Sequence, residues 1–266
     1  MDLGLGGRAC VVTGASHGIG RETARLLCAE GAEVLLVARD HEALAEAAAA
    51  CAEVGGRAEG FACDVTEADA AERIMAEAKG RIGAPEVLVN NAGSAKWRDL
   101  DEVPDEDWYA AWELNVMAPL RLMRAAIPAM RERGWGRVVN VSSTSGKRPS
   151  ASMAEYSVAK AAELSLSRLF ADRYAADGVL VNAICPGPTK SEMWMAEGGV
   201  LDQSKELAGH ATREEALEAA GAKRPIGRLA EVAEIAGAIA FLCSEHASYV
   251  SGAAWSVDGG TVQVII

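Results

Sequence analysis

Short apolar runs alternate along the chain with longer stretches rich in Ala, Glu and Arg. The short runs predict strands at 9–13, 33–38, 58–63, 87–90, 136–142, 179–184 and 254–257. The longer stretches predict helices at 18–30, 41–54, 67–81, 105–133, 153–176 and 231–243. The strand segments are near-continuous in apolar residues rather than alternating, as expected of a parallel sheet covered on both faces. Regular strand–helix alternation with right-handed crossovers gives an α/β class and a doubly wound sheet. No repeat, low-complexity linker or shift in composition divides the chain, so one domain over 1–266 is expected. The segment at about 189–223 breaks the alternation with Met, Trp, Gly and Glu. It follows the carboxyl end of a strand, where open α/β sheets bind ligands, and is expected to be a substrate lid with one or two helices.

Composition narrows the partners. Among 266 residues the formal net charge is -12, which disfavours nucleic acid and anionic membrane surfaces. Half the residues are hydrophobic, enough for a sizeable core. Cys10, Cys28, Cys51, Cys63, Cys185 and Cys243 form no CxxC pair and no Cys/His cluster with metal-ligand spacing, so no metal is expected. Several lie in apolar runs, as reduced thiols of a cytosolic protein would. The amino-terminal residues do not read as a signal peptide, and no apolar stretch reaches the ~18 residues of a membrane span. A soluble, cytoplasmic protein is expected.

Thr13-Gly14-Ala15-Ser16-His17-Gly18-Ile19-Gly20 lies between the first strand and the first helix. Glycines let the backbone turn sharply and approach a pyrophosphate, and the helix N-terminus offers unpaired N–H groups to it. The spacing is Gly-x-x-x-Gly-x-Gly, without the Gly-Lys-Ser/Thr ending of an ATP-binding loop. An isolated glycine turn is also compatible with a purely structural role, but the position at the first strand–helix junction favours a dinucleotide. The 2′ position of the ribose is read about 20 residues further on, at the end of the second strand. Arg39 and Asp40 stand there. A guanidinium suits a 2′-phosphate, whereas a carboxylate suits a free 2′-hydroxyl. Arg39 comes first, so NADP(H) is favoured. NAD(H) stays possible through Asp40, whose other role is to cap the next helix.

Tyr156 and Lys160 are four residues apart in a helical run and share a face. A phenol titrates near pH ~10, and a neighbouring ammonium stabilises its phenolate, so the pair suits general acid/base work. Ser143, at a strand end thirteen residues upstream of Tyr156, offers a hydroxyl to a substrate oxygen. Asn115 stands inside a helical run, where Asn is disfavoured and therefore invites a functional reading. Large apolar residues near the cleft, Trp97, Met193 and Trp194, together with Ser145, are candidate substrate contacts and favour an apolar reactant. Lys147 and Arg148 follow the serine strand and are either solvated or a lure for an anion.

TGASHGIG (13–20), Asp64 in CDV, NNAG (90–93), Asn115, VNVSS (139–143), YSVAK (156–160), CPGPT (185–189) and VDGG (257–260) occur together and in this order. In this the chain closely resembles the short-chain dehydrogenase/reductases, from about residue 8 to residue 260. The resemblance implies a Rossmann-like sheet of seven strands in the order 3-2-1-4-5-6-7, in three α/β/α layers. It also implies hydride transfer between a nicotinamide cofactor and a ketone, aldehyde or alcohol.

By the same resemblance, Asp64 and Val65 would meet the adenine, and Asn90, Ala92 and Gly93 would line the cofactor cleft. Gly14, Ser16, His17, Gly18, Ile19 and Gly20 would surround the phosphates, and Pro186, Gly187 and Thr189 would hold the nicotinamide end. Tyr156 would exchange the proton, Lys160 would bind the ribose and tune the phenol, Ser143 would orient the carbonyl, and Asn115 would anchor a water. His17 departs from the Lys or Arg of many NADP-preferring relatives, which leaves Arg39 as the main phosphate reader. Pairing through the helices at 105–133 and 153–176 would give a homodimer or homotetramer. A non-catalytic NADP-binding sensor and a lyase or epimerase on the same fold are the alternatives.

Overall fold

A computed structural model describes residues 2–263; of the domain expected over 1–266, residue 1 and residues 264–266 lie outside the described residues. Seven parallel strands form one sheet: β1 (Ala9–Thr13), β2 (Glu33–Ala38), β3 (Arg57–Ala62), β4 (Val87–Asn90), β5 (Gly136–Val141), β6 (Val179–Pro186) and β7 (Ala254–Val257). Their order is β3-β2-β1-β4-β5-β6-β7, as expected. The chain reverses direction across the sheet between β1 and β4, and a crevice opens there at the carboxyl ends.

The helices are α1 (Gly18–Ala29), α2 (His41–Glu53), α3 (Ala70–Arg81), α4 (Asp105–Trp112), α5 (Ala118–Arg133), α6 (Thr144–Lys147), α7 (Ala154–Tyr174), α8 (Glu192–Met195), α9 (Val200–Ala208), α10 (Arg213–Ala222) and α11 (Val232–Cys243). Successive side chains of a strand point to opposite faces, and in the central strands β1, β4 and β5 both faces are buried. In β1, Cys10 and Val12 join Leu27, Leu44 and Ile235 from α1, α2 and α11. Ala9 and Val11 join Ile74, Met123 and Ala171 from α3, α5 and α7. The apolar run in each central strand thus serves two cores.

Two elements differ from the sequence reading. The helix expected over 105–133 is interrupted by a π-helical stretch, Glu113–Met117, where the Ala118 N–H reaches back to the Glu113 carbonyl. The lid carries three helical pieces, α8, α9 and α10, rather than one or two. Short polar segments broken by glycines at 198, 199 and 209 hide the periodicity of such brief helices. The lid is tied down by a bridge in which the Ala230 N–H donates to the Pro188 carbonyl (3.0 Å) and the Lys190 N–H donates to the Ala230 carbonyl (2.9 Å).

Candidate active site

The glycine turn is held from beneath. The Thr13 hydroxyl oxygen accepts from the Asn91 and Ala92 N–H groups at 3.0 and 3.1 Å. The Asn91 side-chain amide donates to the Thr13 and Gly14 carbonyls. Gly14 has φ +61°, and a Cβ there would lie 2.9 Å from the Ala92 Cα. At Gly20 a Cβ would meet the Gly14 carbonyl oxygen at 2.3 Å. These glycines are therefore required by backbone approach within the turn itself, as well as by anything bound above it.

A cleft of about 760 Å³ runs from this turn past Ser16, His17, Gly18 and Ile19 to Arg39, Asp64 and Val65. Its size suits an extended dinucleotide. The Asp64 carboxylate accepts from the Thr66 N–H (3.0 Å) and hydroxyl (2.7 Å). The backbone bond holds its carboxyl below the usual range; partial burial opposes this, and the Thr66 hydroxyl and the Arg39 charge add to it. Asp40 accepts from the Glu42 and Ala43 N–H groups at 2.9 and 3.1 Å and so caps α2. That leaves Arg39, exposed at the cleft rim, as the group free to meet a ribose substituent.

A smaller cavity of about 140 Å³ adjoins the cleft, the two sharing Ile19, Asn91, Gly93, Ser191 and Met193. Ser143, Tyr156 and Lys160 line it together with Ser145, Met153, Trp194 and Val200. Pro186, Gly187 and Thr189 form its inner wall, braced where the Gly187 N–H donates to the Val257 carbonyl (3.0 Å). Ser143 caps α6: its oxygen accepts from the Ser145 N–H at 3.0 Å, which leaves its hydrogen to donate elsewhere. The Lys160 ammonium lies 5.8 Å from the Tyr156 ring centroid and donates to the Val141 carbonyl at 2.7 Å and to Glu163 at 3.0 Å. Burial alone would lower the lysine; Glu163 and then Tyr156 outweigh it and hold it above its ordinary range.

Asn115 is fully buried in the π-helical stretch. Its amide donates to the Ala111 carbonyl at 2.9 Å, and its Oδ1 has no partner among the described residues. A Cβ on Gly93 would be 3.3 Å from that oxygen and 3.7 Å from the Lys160 nitrogen, so both reach one spot behind the cavity.

Besides Gly20, buried within the turn, and Asn115, behind the cavity, two expected site residues line neither cavity. The Asn90 side chain lines neither cavity. It donates to Asn140 at 2.7 Å inside the sheet, and Asn91 faces the cleft instead, because adjacent strand residues point to opposite sides. Trp97 also lines neither cavity; from that segment Ala95 faces the smaller cavity and Lys96 pairs with Asp107 at 2.7 Å. Lys147 turns away from the cavity and donates to the Ala254 carbonyl and the Ser256 hydroxyl. Met153 and Val200, unremarked in the sequence, line the cavity, and Glu163, also unremarked, pairs with its lysine. No signal marks Met153 or Val200; Glu163 is a charge on the inner face of a helix whose outer face is also charged.

A family model described as enoyl-(acyl carrier protein) reductase matches residues 14–262. The chain belongs to the short-chain dehydrogenase/reductase family. This dehydrogenase/reductase is 36% identical over 265 residues to 2-(S)-hydroxypropyl-CoM dehydrogenase 3 of Xanthobacter autotrophicus, covering 99% of this chain and 100% of that one. It is 38% identical over 258 residues to cis-4-hydroxycyclohexanecarboxylate dehydrogenase of Sinomonas cyclohexanicum, covering 97% of each. L-Sorbose reductase from Gluconobacter frateurii, solved with NADPH and L-sorbose, superposes with a TM-score of 0.92 at 34% identity over 100% of both chains. The chain is accordingly an NAD(P)-dependent oxidoreductase acting between carbonyl and alcohol. Among the described residues no helix is long and apolar enough to cross a membrane.

Proposed function

We propose that this dehydrogenase/reductase uses NADP(H) to interconvert a small, neutral, largely apolar ketone and its alcohol, with Tyr156 as the proton donor and acceptor. The observation that carries the reading is the continuity of the Tyr156 cavity with the cleft above the glycine turn. The residues fit the cofactor: the turn leaves no room for a Cβ at Gly14 or Gly20, Asp64 lines the far end, and Arg39 is free at the rim. When bound, the nicotinamide supplies or accepts the hydride. The Ser143 hydrogen, left free by the capping bond, is available to hold the substrate oxygen. Tyr156 gives its proton to that oxygen as negative charge develops, and donors aimed at developing charge are the main electrostatic contribution. Lys160 fixes the phenol's electrostatic surroundings and Thr189 steadies the inner wall; Asn115, with a buried acceptor to spare, holds a water behind the lysine.

The neutrality of the substrate rests on the lining. Apart from Lys160, which is bonded to Glu163, no cation lines the cavity among the described residues, and Met153, Met193, Trp194 and Val200 supply apolar surface. Arg148 is exposed outside it and Lys147 is engaged elsewhere. The lid over 189–223 closes a single catalytic domain. The six cysteines are all buried and free, which suits a reducing cytoplasm. Exposed Tyr109 and Trp112 on α4, and Val158 and Leu169 on α7, support pairing into a homodimer or homotetramer through these helices. NADPH oxidation measured over a panel of neutral and carboxylate-bearing ketones tests the reading. Turnover of neutral ketones is expected, and a preference for anionic ones would reject the substrate class.

A further inference from the structure

Beneath the cavity, α7 places a second ionisable group against the lysine. Glu163 follows Lys160 by three residues, and its Oε2 accepts from the ammonium at 3.0 Å, with side-chain exposures of 1% and 2%. A lysine ammonium has three protons; Glu163 and the Val141 carbonyl take two, leaving one for the cavity. Replacing such a buried pair by apolar residues is often neutral or stabilising, so folding alone does not explain a carboxylate there.

The groups packed around the pair are nearly all neutral. From β6 comes Cys185, whose thiol burial pushes up to about 11; Lys147 from α6 and Asp258 beyond β7 act on that thiol in opposite senses. From β5 comes the Val141 carbonyl, and just past it Ser142, whose hydroxyl donates to the Lys160 carbonyl at 3.0 Å and also holds the Glu163 carboxyl down. The π-helical stretch contributes the uncharged Asn115. Tyr156 and Glu163 are thus the groups of α7 that share the Lys160 charge.

We propose that Glu163 is a positioning residue that fixes the Lys160 ammonium and offsets its field at Tyr156, biasing the site toward carbonyl reduction. The inference rests on Tyr156 being the proton donor. Burial pushes the Glu163 carboxyl above its ordinary range, and the adjacent ammonium and the Ser142 hydroxyl offset this only in part; the 3.0 Å bond from the lysine is what marks the carboxylate as its partner. With the carboxylate present the pair is a dipole of no net charge; without it, a whole positive charge faces the phenol.

The test is an ultraviolet titration of the phenolate band in the cofactor-free chain, using Tyr156→Phe as the subtraction control. Glu163→Gln is expected to lower the Tyr156 midpoint by about one pH unit. The limb of the pH profile for alcohol oxidation moves by the same amount, and Glu163→Asp restores both. A midpoint that stays or rises overturns the proposal. The assigned Glu163 carboxyl carbon, followed by NMR in the parent chain, judges it without any substitution: a protonated carboxyl at neutral pH overturns it. Turnover surviving in Tyr156→Phe would instead remove the proton-donor assignment, while the titration, read without cofactor or substrate, still decides the role of Glu163.

Discussion

At the Tyr156 end of the cleft the lysine and serine are buried and bonded in part within the protein, whereas at the Arg39 end the guanidinium is exposed and lies free at the rim. Lys160 gives two of its three donors to Val141 and Glu163, and the Ser143 oxygen accepts from the Ser145 N–H. Arg39 stands at the rim in solvent, and its neighbour Asp40 is given over to capping α2. Buried polar groups must be satisfied and so are rigid before any ligand arrives. Exposed ones are ordered only on binding, so they choose among ligands without performing chemistry. The contrast assigns rate to one end and cofactor choice to the other.

That division breaks most easily at the phenol. Tyr156→Phe is expected to reduce kcat by about 10²–10⁴-fold while NADPH affinity, measured by fluorescence titration, stays within about twofold. A large loss of affinity would mean that the two ends are not separable. Arg39→Ala should weaken NADPH about 10- to 100-fold and leave NADH and kcat nearly untouched, as expected for a lost charged hydrogen bond. Equal weakening of both cofactors would reassign the 2′-phosphate reader. Trp194→Ala should shift the kcat/KM ratio between large and small ketones by about tenfold, read from a substrate panel.

The smallest expected effect comes from Asp64. Its folded-state pKa is depressed, first by the Thr66 N–H, so its contribution to stability is present above the unfolded value of ~3.9 and disappears as pH falls through the lower folded value. Asp64→Asn should flatten the acid limb of the urea-denaturation profile by less than about 1 kcal/mol. A larger change would show that the adenine end is structurally stiffer than its exposure indicates.

The same contrast explains what could be read from the chain itself. Strand and helix positions are visible because both faces of the central strands are apolar, whereas the order of the sheet comes only through the family resemblance that the motifs carry. Tyr156, Lys160 and Ser143 are visible because the chemistry fixes residue types at set spacings. The sequence does not separate Asn90 from Asn91, because only the pleat, fixed by pairing with β1 and β5, decides which amide faces the crevice. Size and proximity alone place Trp97 at the cavity, and it lines neither cavity because bulk near a strand end does not fix which way a side chain faces. Glu163 was invisible because a charged residue among others on a long helix gives no sign of burial until α7 is packed on the sheet.

The widened turn at Glu113–Met117 has a consequence for how this helix tolerates change. An α-helix advances about 100° per residue, so one residue accommodated in a wider loop rotates everything before it by roughly that angle relative to everything after. Before this stretch Tyr109 and Trp112 are exposed, while after it Met123 and Ile127 pack into the core against the sheet. Deleting a single residue here would restore a regular screw and swing the outward aromatic pair by almost a third of a revolution. A one-residue gap at this point is thus a heavier lesion than a several-residue gap in a surface loop, despite its modest length.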